Sequence, residues 1–453
     1  MNESLPRFPG GITEPSVWDI TYQARSLVAE LLAIDEPEYP REACNLRDVI
    51  ISIADFVADE LANLATKLES VNDENDLYRA KQLASAIHKL CFLEQFLRES
   101  SPSHTPPEIQ EALSYLTNLY LSTTGPRPIC LVARQWKYNL TYKAVTWELM
   151  DIIPPQVLDP RKRLGIEEPE QILPALWKQW IEKTGRSEPD NMAPKHIGIL
   201  SFPKLDTQNT LLYPLLAHEL GHFIDFSQEP ALHERLTKKI GGFITDQEVE
   251  RALQKSGSSA DPALYKSLLV KRTFVCIREL IADLLAARML GLSFFFAQAE
   301  FLKTLTPWKE NKITSTGYPG LKFRLSTTFN HLMREDCRGN PRKLLAGVPR
   351  GEEADWLRDN LDDWSEKLKS NAQDVEATNE LDRLADKAVQ SVLEDLHSMV
   401  AEKYTQCSEL TPCVFERIAC LTHRIPPHIK GDTPACIAEI MTASWVYELL
   451  TLE

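Results

Sequence analysis

The sequence His-Glu-Leu-Gly-His at residues 218–222 constrains this chain more than any other stretch. Residues four apart lie on one face of an α-helix, so His218 and His222 would project their imidazoles side by side. Two ring nitrogens at that spacing can bind one tetrahedral zinc ion. Glu219, beside the first histidine, is placed to take a proton from a water molecule that the metal activates. The motif therefore predicts a metal site with a general base next to it.

The residues around the motif indicate a buried helix. Apolar side chains occur on nearly every side of it: Leu211, Leu212, Leu215, Leu216, Leu220, Phe223 and Ile224. Burying two histidines and a glutamate is costly unless they find partners, and a metal ion supplies one. The alternative is a core helix whose histidines donate to backbone carbonyls, but that arrangement does not require this spacing.

Two histidines do not complete a zinc site, so a third ligand is needed. The metzincin pattern places glycine three residues after the second histidine and a third histidine six residues after it. Asp225 and Gln228 occupy those positions, which excludes that class. Asp225 either orients His222 or caps the end of the helix, and the sequence leaves both roles open.

A carboxylate on a second helix is the other common solution, and the stretch 274–291 provides a candidate. Glu279 and Asp283 are four residues apart, so they share a face of a helix that is otherwise strongly apolar. Glu279 can be the third ligand, while Asp283 accepts the other ring N–H of a ligating histidine. The alternative is a surface pair in which these carboxylates contact Arg278, Arg288 or Lys271.

HELGH followed by Glu-Leu-Ile-Ala-Asp at 279–283 resembles the gluzincin zinc peptidases, the group that includes thermolysin. The resemblance implies that Glu279 is a zinc ligand and that Asp283 orients a ligating histidine. It covers roughly residues 193–335. A strand precedes the motif helix in gluzincins, so we expect the strand at 196–202 to be an edge where Gly198, Ile199 and Leu200 bind a peptide substrate.

A finer similarity is to the CAAX-type and heat-shock membrane metallopeptidases, which carry His-Pro and then an arginine after their second metal helix. Pro319 and Arg324 fall in register with that pattern, and Tyr318 occupies the histidine position. The similarity implies that residue 318 contacts substrate or the developing oxyanion, where a tyrosine hydroxyl could donate. Arg324 or His331 could stabilise the transition state, and a helical salt bridge is the alternative for Arg324.

Composition limits the other classes of function. The net charge of −15 argues against nucleic-acid binding, and no apolar stretch is long enough to cross a membrane. The nine cysteines are scattered without a CxxC pair, and the N-terminus lacks a signal-peptide pattern. These features favour a protein of the reducing cytoplasm.

The periodicity predicts a mainly α fold with a small β-sheet (α+β), in which a zincin-like core is flanked by helical domains. We expect an N-terminal helical bundle at 1–125, the metallopeptidase domain at 126–335 and a C-terminal helical domain at 336–453. The predicted function is peptide-bond hydrolysis with one zinc ion per chain, acting on a peptide or protein. The alternative is a catalytically silent or partner-triggered scaffold that holds zinc and binds a regulatory protein through its helical flanks.

Overall fold

The fold is seen in a computed structural model of the chain, which describes most of it. The described residues are 17–34, 39–68, 74–101, 103–121, 129–135, 141–144, 175–176, 178, 182, 197–203, 206, 209–228, 230–305, 318–335, 337, 340–372, 380–403, 412–422 and 437–452. Over these residues the protein is mainly α-helical with one small β-sheet, which confirms the predicted fold class.

The chain divides into two compact units. The first comprises Met1–Asn139 and Lys143–Thr207, and the second comprises Leu140–Tyr142 and Gln208–Glu453. The HELGH motif and the helices that follow it belong to the second unit. The strands at 129–135 and 197–203 belong to the first, although the sequence had suggested that they share a domain with the motif. The division into three domains stays a prediction.

Helices and a sheet build the first unit. The helices are α1 (Val17–Leu32), α2 (Arg41–Leu68), α3 (Glu74–Glu99) and α4 (Pro107–Leu121). Their apolar stripes meet in one core: Leu46, Ile50, Ile53, Val57 and Leu61 of α2 are at most 1% exposed. The helical period of these residues is the reason that one face of α2 is buried.

The sheet has three strands, β1 (Ile129–Gln135), β2 (Thr141–Ala144) and β3 (Ile197–Pro203), in the order β1-β3-β2. β1 and β3 are parallel and pair along their full length, from Ile129 opposite Ile197 to Gln135 opposite Pro203. Every residue of β3 is buried, which is typical of a strand with neighbours on both sides. The expectation that β3 is an edge strand was therefore wrong, because both of its sides are bonded to other strands.

From Gln208 onwards, the second unit is mainly helical over its described residues. It contains a 3-10 turn at Thr210–Leu212 and then the following helices: α5 (Leu215–Gln228), α6 (Pro230–Phe243), α7 (Asp246–Lys255), α8 (Pro262–Leu290), α9 (Leu292–Leu305), α10 (Leu321–Leu332), α11 (Pro341–Ala346), α12 (Glu352–Ala372), α13 (Glu380–Lys403), α14 (Pro412–Thr422) and α15 (Ile437–Leu452). α8 is its central element and packs against α5, α10 and α13. From Leu280 to Leu290 every residue of α8 is buried.

Local signals fix the two ends of α8. Asp261 caps its N-terminus by accepting a hydrogen bond from the Ala263 N–H at 3.0 Å, and Pro262 occupies the first helical position. Gly291 ends the helix with φ of 58°, a backbone conformation that glycine adopts at little cost. The stretch singled out in the sequence began at 274, whereas α8 begins 12 residues earlier, at Pro262.

Among the described residues, no helix combines the length and the apolarity that crossing a bilayer requires.

Candidate metal centre

Helix α5 carries the two histidines of the motif on one face, as their spacing of four residues dictates. The ring centroids of His218 and His222 are 4.7 Å apart, and the rings meet edge to face at 81°. His218 and Glu219 are 9% and 5% exposed, so this face points into the unit. Helices α8 and α9 pack against α5.

Glu279 of α8 brings a carboxylate between the two histidines. Its Oε2 lies 3.4 Å from His218 Nε2, and its Oε1 lies 3.3 Å from His222 Nε2. These distances are long for N–H···O hydrogen bonds. They match the edge of a tetrahedron whose metal–ligand bonds are about 2.0–2.1 Å, since such an edge is about 3.3–3.4 Å long. His218, His222 and Glu279 form a cluster that could hold a metal ion, with all three ligand atoms within 4.8 Å of one another.

Asp283 stands behind His218, on the side away from Glu279. Its Oδ1 lies 2.8 Å from His218 Nδ1, which is hydrogen-bonding distance, although the ring N–H is not well aligned with that oxygen. Asp283 is fully buried, and its position leaves His218 Nε2 as the nitrogen that faces Glu279. A carboxylate in this place fixes the tautomer and the ring orientation of a metal-binding histidine.

Arg324 of α10 completes this line of contacts. Its guanidinium donates to both oxygens of Asp283, and its Nη2 also lies 3.6 Å from Glu279 Oε2. The sequence analysis left open a transition-state stabiliser or a salt bridge for Arg324. The geometry shows an ion pair with Asp283 that joins α10 to α8, and a role for Arg324 in the transition state stays a prediction. Spacing along the sequence could not show this contact, because 41 residues separate the two partners.

Opposite charges control the protonation of these groups. Burial alone would lower the pKa of His218, but the charge of Asp283 and contacts with Asp283 and Glu279 raise it to about 10. Burial would likewise raise the pKa values of Glu279 and Asp283, but the histidines lower that of Glu279 and Arg324 lowers that of Asp283. Without a metal ion, the protonated ring of His218 therefore supplies positive charge beside the carboxylates of Glu279 and Asp283.

Glu219 differs from the other two carboxylates. Burial raises its pKa, and the charges of His218 and His222 offset that effect only in part. It does not belong to the cluster of ligand atoms. A carboxylate beside a metal site whose pKa is raised towards neutrality is suited to exchange protons with a reacting molecule.

Tyr318 lies just before α10, is 53% exposed and is near enough to Glu279 and Glu219 for their charges to act on its phenol. Partial burial raises the pKa of its phenol, and the negative charges of Glu279 and Glu219 raise it further. The hydroxyl thus keeps its proton at neutral pH and can donate a hydrogen bond.

Phe294 of α9 borders the site from another side, where its ring is parallel to that of His218 at 6.5 Å. The apolar run that contains Phe294 had predicted a helix packed beneath the site, although this residue was not singled out.

His331 does not join the site, so the expectation that it lies towards the cleft was wrong. It is buried between α10 and α13, with its Nδ1 2.9 Å from His397 Nδ1 and the two rings stacked at 5.1 Å. The side chain of Asp225 lies outside the described residues. Gly198, Ile199 and Leu200 lie in the middle strand of the first unit, and their binding of substrate stays a prediction.

No protein-family model matches the chain, and no curated protein or solved structure matches it either.

Proposed function

We propose that this protein is a zinc-dependent metallopeptidase that hydrolyses peptide bonds, with Glu219 as the general base. The observation that carries the proposal is the set of distances between Glu279 and the two histidines. Two imidazole nitrogens and one carboxylate form the ligand set of catalytic zinc sites, which keep the fourth position for water or substrate.

The donor set supports zinc over magnesium or calcium, because imidazole nitrogen suits zinc whereas the two harder ions prefer oxygen ligands. Bound zinc would act as a Lewis acid and bring the pKa of a water ligand close to neutrality. His218, His222 and Glu279 would hold the ion. Asp283, itself held by Arg324, would keep the ring of His218 in the orientation that this requires.

Glu219 would then move the protons of the reaction. As a carboxylate it accepts a proton from the attacking water, and it returns that proton to the amine that leaves when the peptide bond breaks. Its raised pKa makes the carboxylate a stronger base, which favours the first transfer. Tyr318 would donate a hydrogen bond to the carbonyl oxygen of the substrate as negative charge develops there.

We place the protein in the cytoplasm as part of the proposal. Cys91, Cys130 and Cys420, among the described residues, are thiols. Burial raises the pKa of the Cys130 thiol to about 12, so this thiol stays protonated at neutral pH and is not a reactive nucleophile.

The proposal is tested by comparing wild type with Glu219→Gln on a library of peptides and unfolded proteins, while the zinc content of both is measured. We expect Glu219→Gln to keep its zinc and to lose cleavage by about 10²–10⁴-fold, because the variant lacks only the proton acceptor. Glu234→Gln, which changes an exposed glutamate of α6, is the matched control and should cleave like wild type.

Equal cleavage by wild type and Glu219→Gln would contradict the mechanism. Zinc-loaded wild type that cleaves nothing, alone or with cell extract added, would favour the alternative of a zinc-containing scaffold. Cleavage only after extract is added would favour the partner-triggered enzyme.

A further inference from the structure

Gly221 of α5 and Ala282 of α8 bring the two ligand-bearing helices into contact. A Cβ atom added at residue 221 would lie 2.8 Å from Ala282 Cα and 3.0 Å from its carbonyl oxygen. Carbon atoms in proteins prefer separations of about 3.5–4.0 Å. The obstacle is backbone and not the end of a flexible side chain, so the helices would have to move apart to admit a methyl group.

The backbone conformation of Gly221 does not explain why a glycine is present. It lies within α5, and its φ is not in the positive range that Gly257 and Gly291 adopt. Inside a helix, alanine is intrinsically more favourable than glycine. What the position requires is the absence of a side chain.

This contact lies among the residues of the candidate metal centre. Gly221 directly precedes His222, while Ala282 directly precedes Asp283 and stands three residues after Glu279. The ligand atoms of His222 and Glu279 are 3.3 Å apart across the same pair of helices. Metal–ligand bonds tolerate deviations of only about 0.2 Å, so a shift of several tenths of an ångström between the helices would spoil the geometry.

We infer that Gly221 is a positioning residue: its lack of a side chain sets the distance at which α5 presents two histidines to Glu279 of α8. The inference rests on the proposed metal centre and adds a determinant of its affinity that binds no metal itself. The small residue lets the two helices pack closely, as in other helix pairs where small residues let two backbones approach.

The test measures zinc affinity, by competition with a chelator, and the visible absorption of bound Co²⁺ in purified full-length protein. Wild type is compared with Gly221→Ala. Gly241→Ala and Gly242→Ala are matched controls on α6, because a Cβ at either position meets nothing within 4 Å. Leu253→Ala, which removes a 3% exposed side chain of α7, controls for lost stability without any change at the helix contact.

We expect Gly221→Ala to weaken zinc binding by roughly tenfold to a hundredfold, the range typical of residues that orient ligands, and to weaken the absorption band of tetrahedral Co²⁺. The two glycine controls and Leu253→Ala should stay within about twofold of wild type in zinc affinity. The Co²⁺ spectrum separates a positioning role from a structural one, since a folded but merely less stable protein would keep the wild-type band.

Gly221→Ala that binds zinc within about twofold of wild type, with an unchanged Co²⁺ spectrum, would overturn the inference. Gly221→Ala that does not fold even in saturating zinc, while Leu253→Ala folds, would also overturn it, because the contact would then serve the fold and not the ligands. Wild type that binds no zinc would instead refute the proposed metal centre, and that result is read before any variant is compared.

Discussion

Asp283 accepts two hydrogen bonds from Arg324, one from Nε and one from Nη2, each 2.7 Å long. The carboxylate is fully buried and the guanidinium is 12% exposed, so this bidentate pair is shielded from water. It joins α8 to α10 directly behind His218, the histidine that Asp283 contacts. The pair therefore links the stability of the second unit to the geometry of the candidate metal centre.

Removing the arginine should be strongly destabilising. We expect Arg324→Ala to lower the free energy of unfolding by about 3–5 kcal/mol, because the fully buried carboxylate of Asp283 loses its bidentate guanidinium partner. Denaturant unfolding of metal-free protein measures the loss. Arg342→Ala is the control, since Arg342 forms an exposed pair with Asp362 at 2.7 Å and should change stability by at most about 1 kcal/mol. Equal losses in the two variants would show that the buried pair has no special role.

Zinc affinity should rise with pH. The pKa of His218 is about 10 in the metal-free fold, above the ordinary value of about 6.5. The stabilisation that this proton gives the metal-free protein is fully present below pH of about 6.5 and is lost as pH rises towards 10. Zinc must displace the proton, so we expect affinity to increase by about tenfold per pH unit between 6.5 and 8.

Calorimetric titrations in buffers of different ionisation enthalpy would measure the protons released on binding. Asp283→Asn provides the comparison, because it removes the main charge that raises the pKa of His218. The variant should show a flatter dependence on pH above 6.5. A wild-type affinity that does not change over this range would contradict the assignment.

The buried histidine pair predicts an effect on stability that is separate from the metal centre. Nδ1 of His331 and Nδ1 of His397 lie at hydrogen-bonding distance, so one ring donates and the other accepts. We expect His331→Ala to lower the free energy of unfolding by about 1–3 kcal/mol, since it removes a buried partner. Zinc affinity should stay at the wild-type value. His88→Ala, at an exposed position of α3, should change stability by less than about 0.5 kcal/mol.

Tyr318 allows a test of its proposed part in hydrolysis once a substrate is known. We expect Tyr318→Phe to lower kcat by about 10–10³-fold with little change in KM, because the lost hydrogen bond would form only as charge develops on the carbonyl oxygen. Zinc content should not change. Tyr318→His restores a ring donor and should recover part of the rate. A Tyr318→Phe enzyme as fast as wild type would remove this residue from the mechanism.

Elements with strong local signals were predictable from the sequence. β1 coincides with the apolar run at 129–133, and α14 coincides with the helical periodicity of the apolar residues in 412–422. Alternation and apolar runs determine such elements with little help from the rest of the fold.

Errors arose where a local start signal was overlooked. Asp261-Pro262 begins α8 ahead of the stretch that the sequence analysis singled out, and Asn340-Pro341 begins the short helix α11. In both cases a capping side chain and a proline at the first helical position are enough to start a helix. The apolar periodicity at these sites is weak, so a reading based on periodicity alone misses them.

The helical spacing of HELGH and of Glu279 and Asp283 indicated which side chains could share a face. It could not indicate which faces meet. The pairing of Arg324 with Asp283 and of His331 with His397 depends on how α10 packs against α8 and α13, and those contacts join residues 41 and 66 positions apart. The approach of Gly221 to Ala282 is likewise a property of two packed helices and not of either motif.

The central claim is that His218, His222 and Glu279 together bind zinc, and bound zinc per chain tests it most directly. Elemental analysis of wild type and Glu279→Ala, purified side by side, needs no knowledge of the substrate. We expect about one zinc ion per wild-type chain and a clear loss in the variant, because two histidines alone bind zinc weakly. A folded wild type that takes up no zinc even when the metal is supplied, or a Glu279→Ala variant that keeps all of it, would contradict the account.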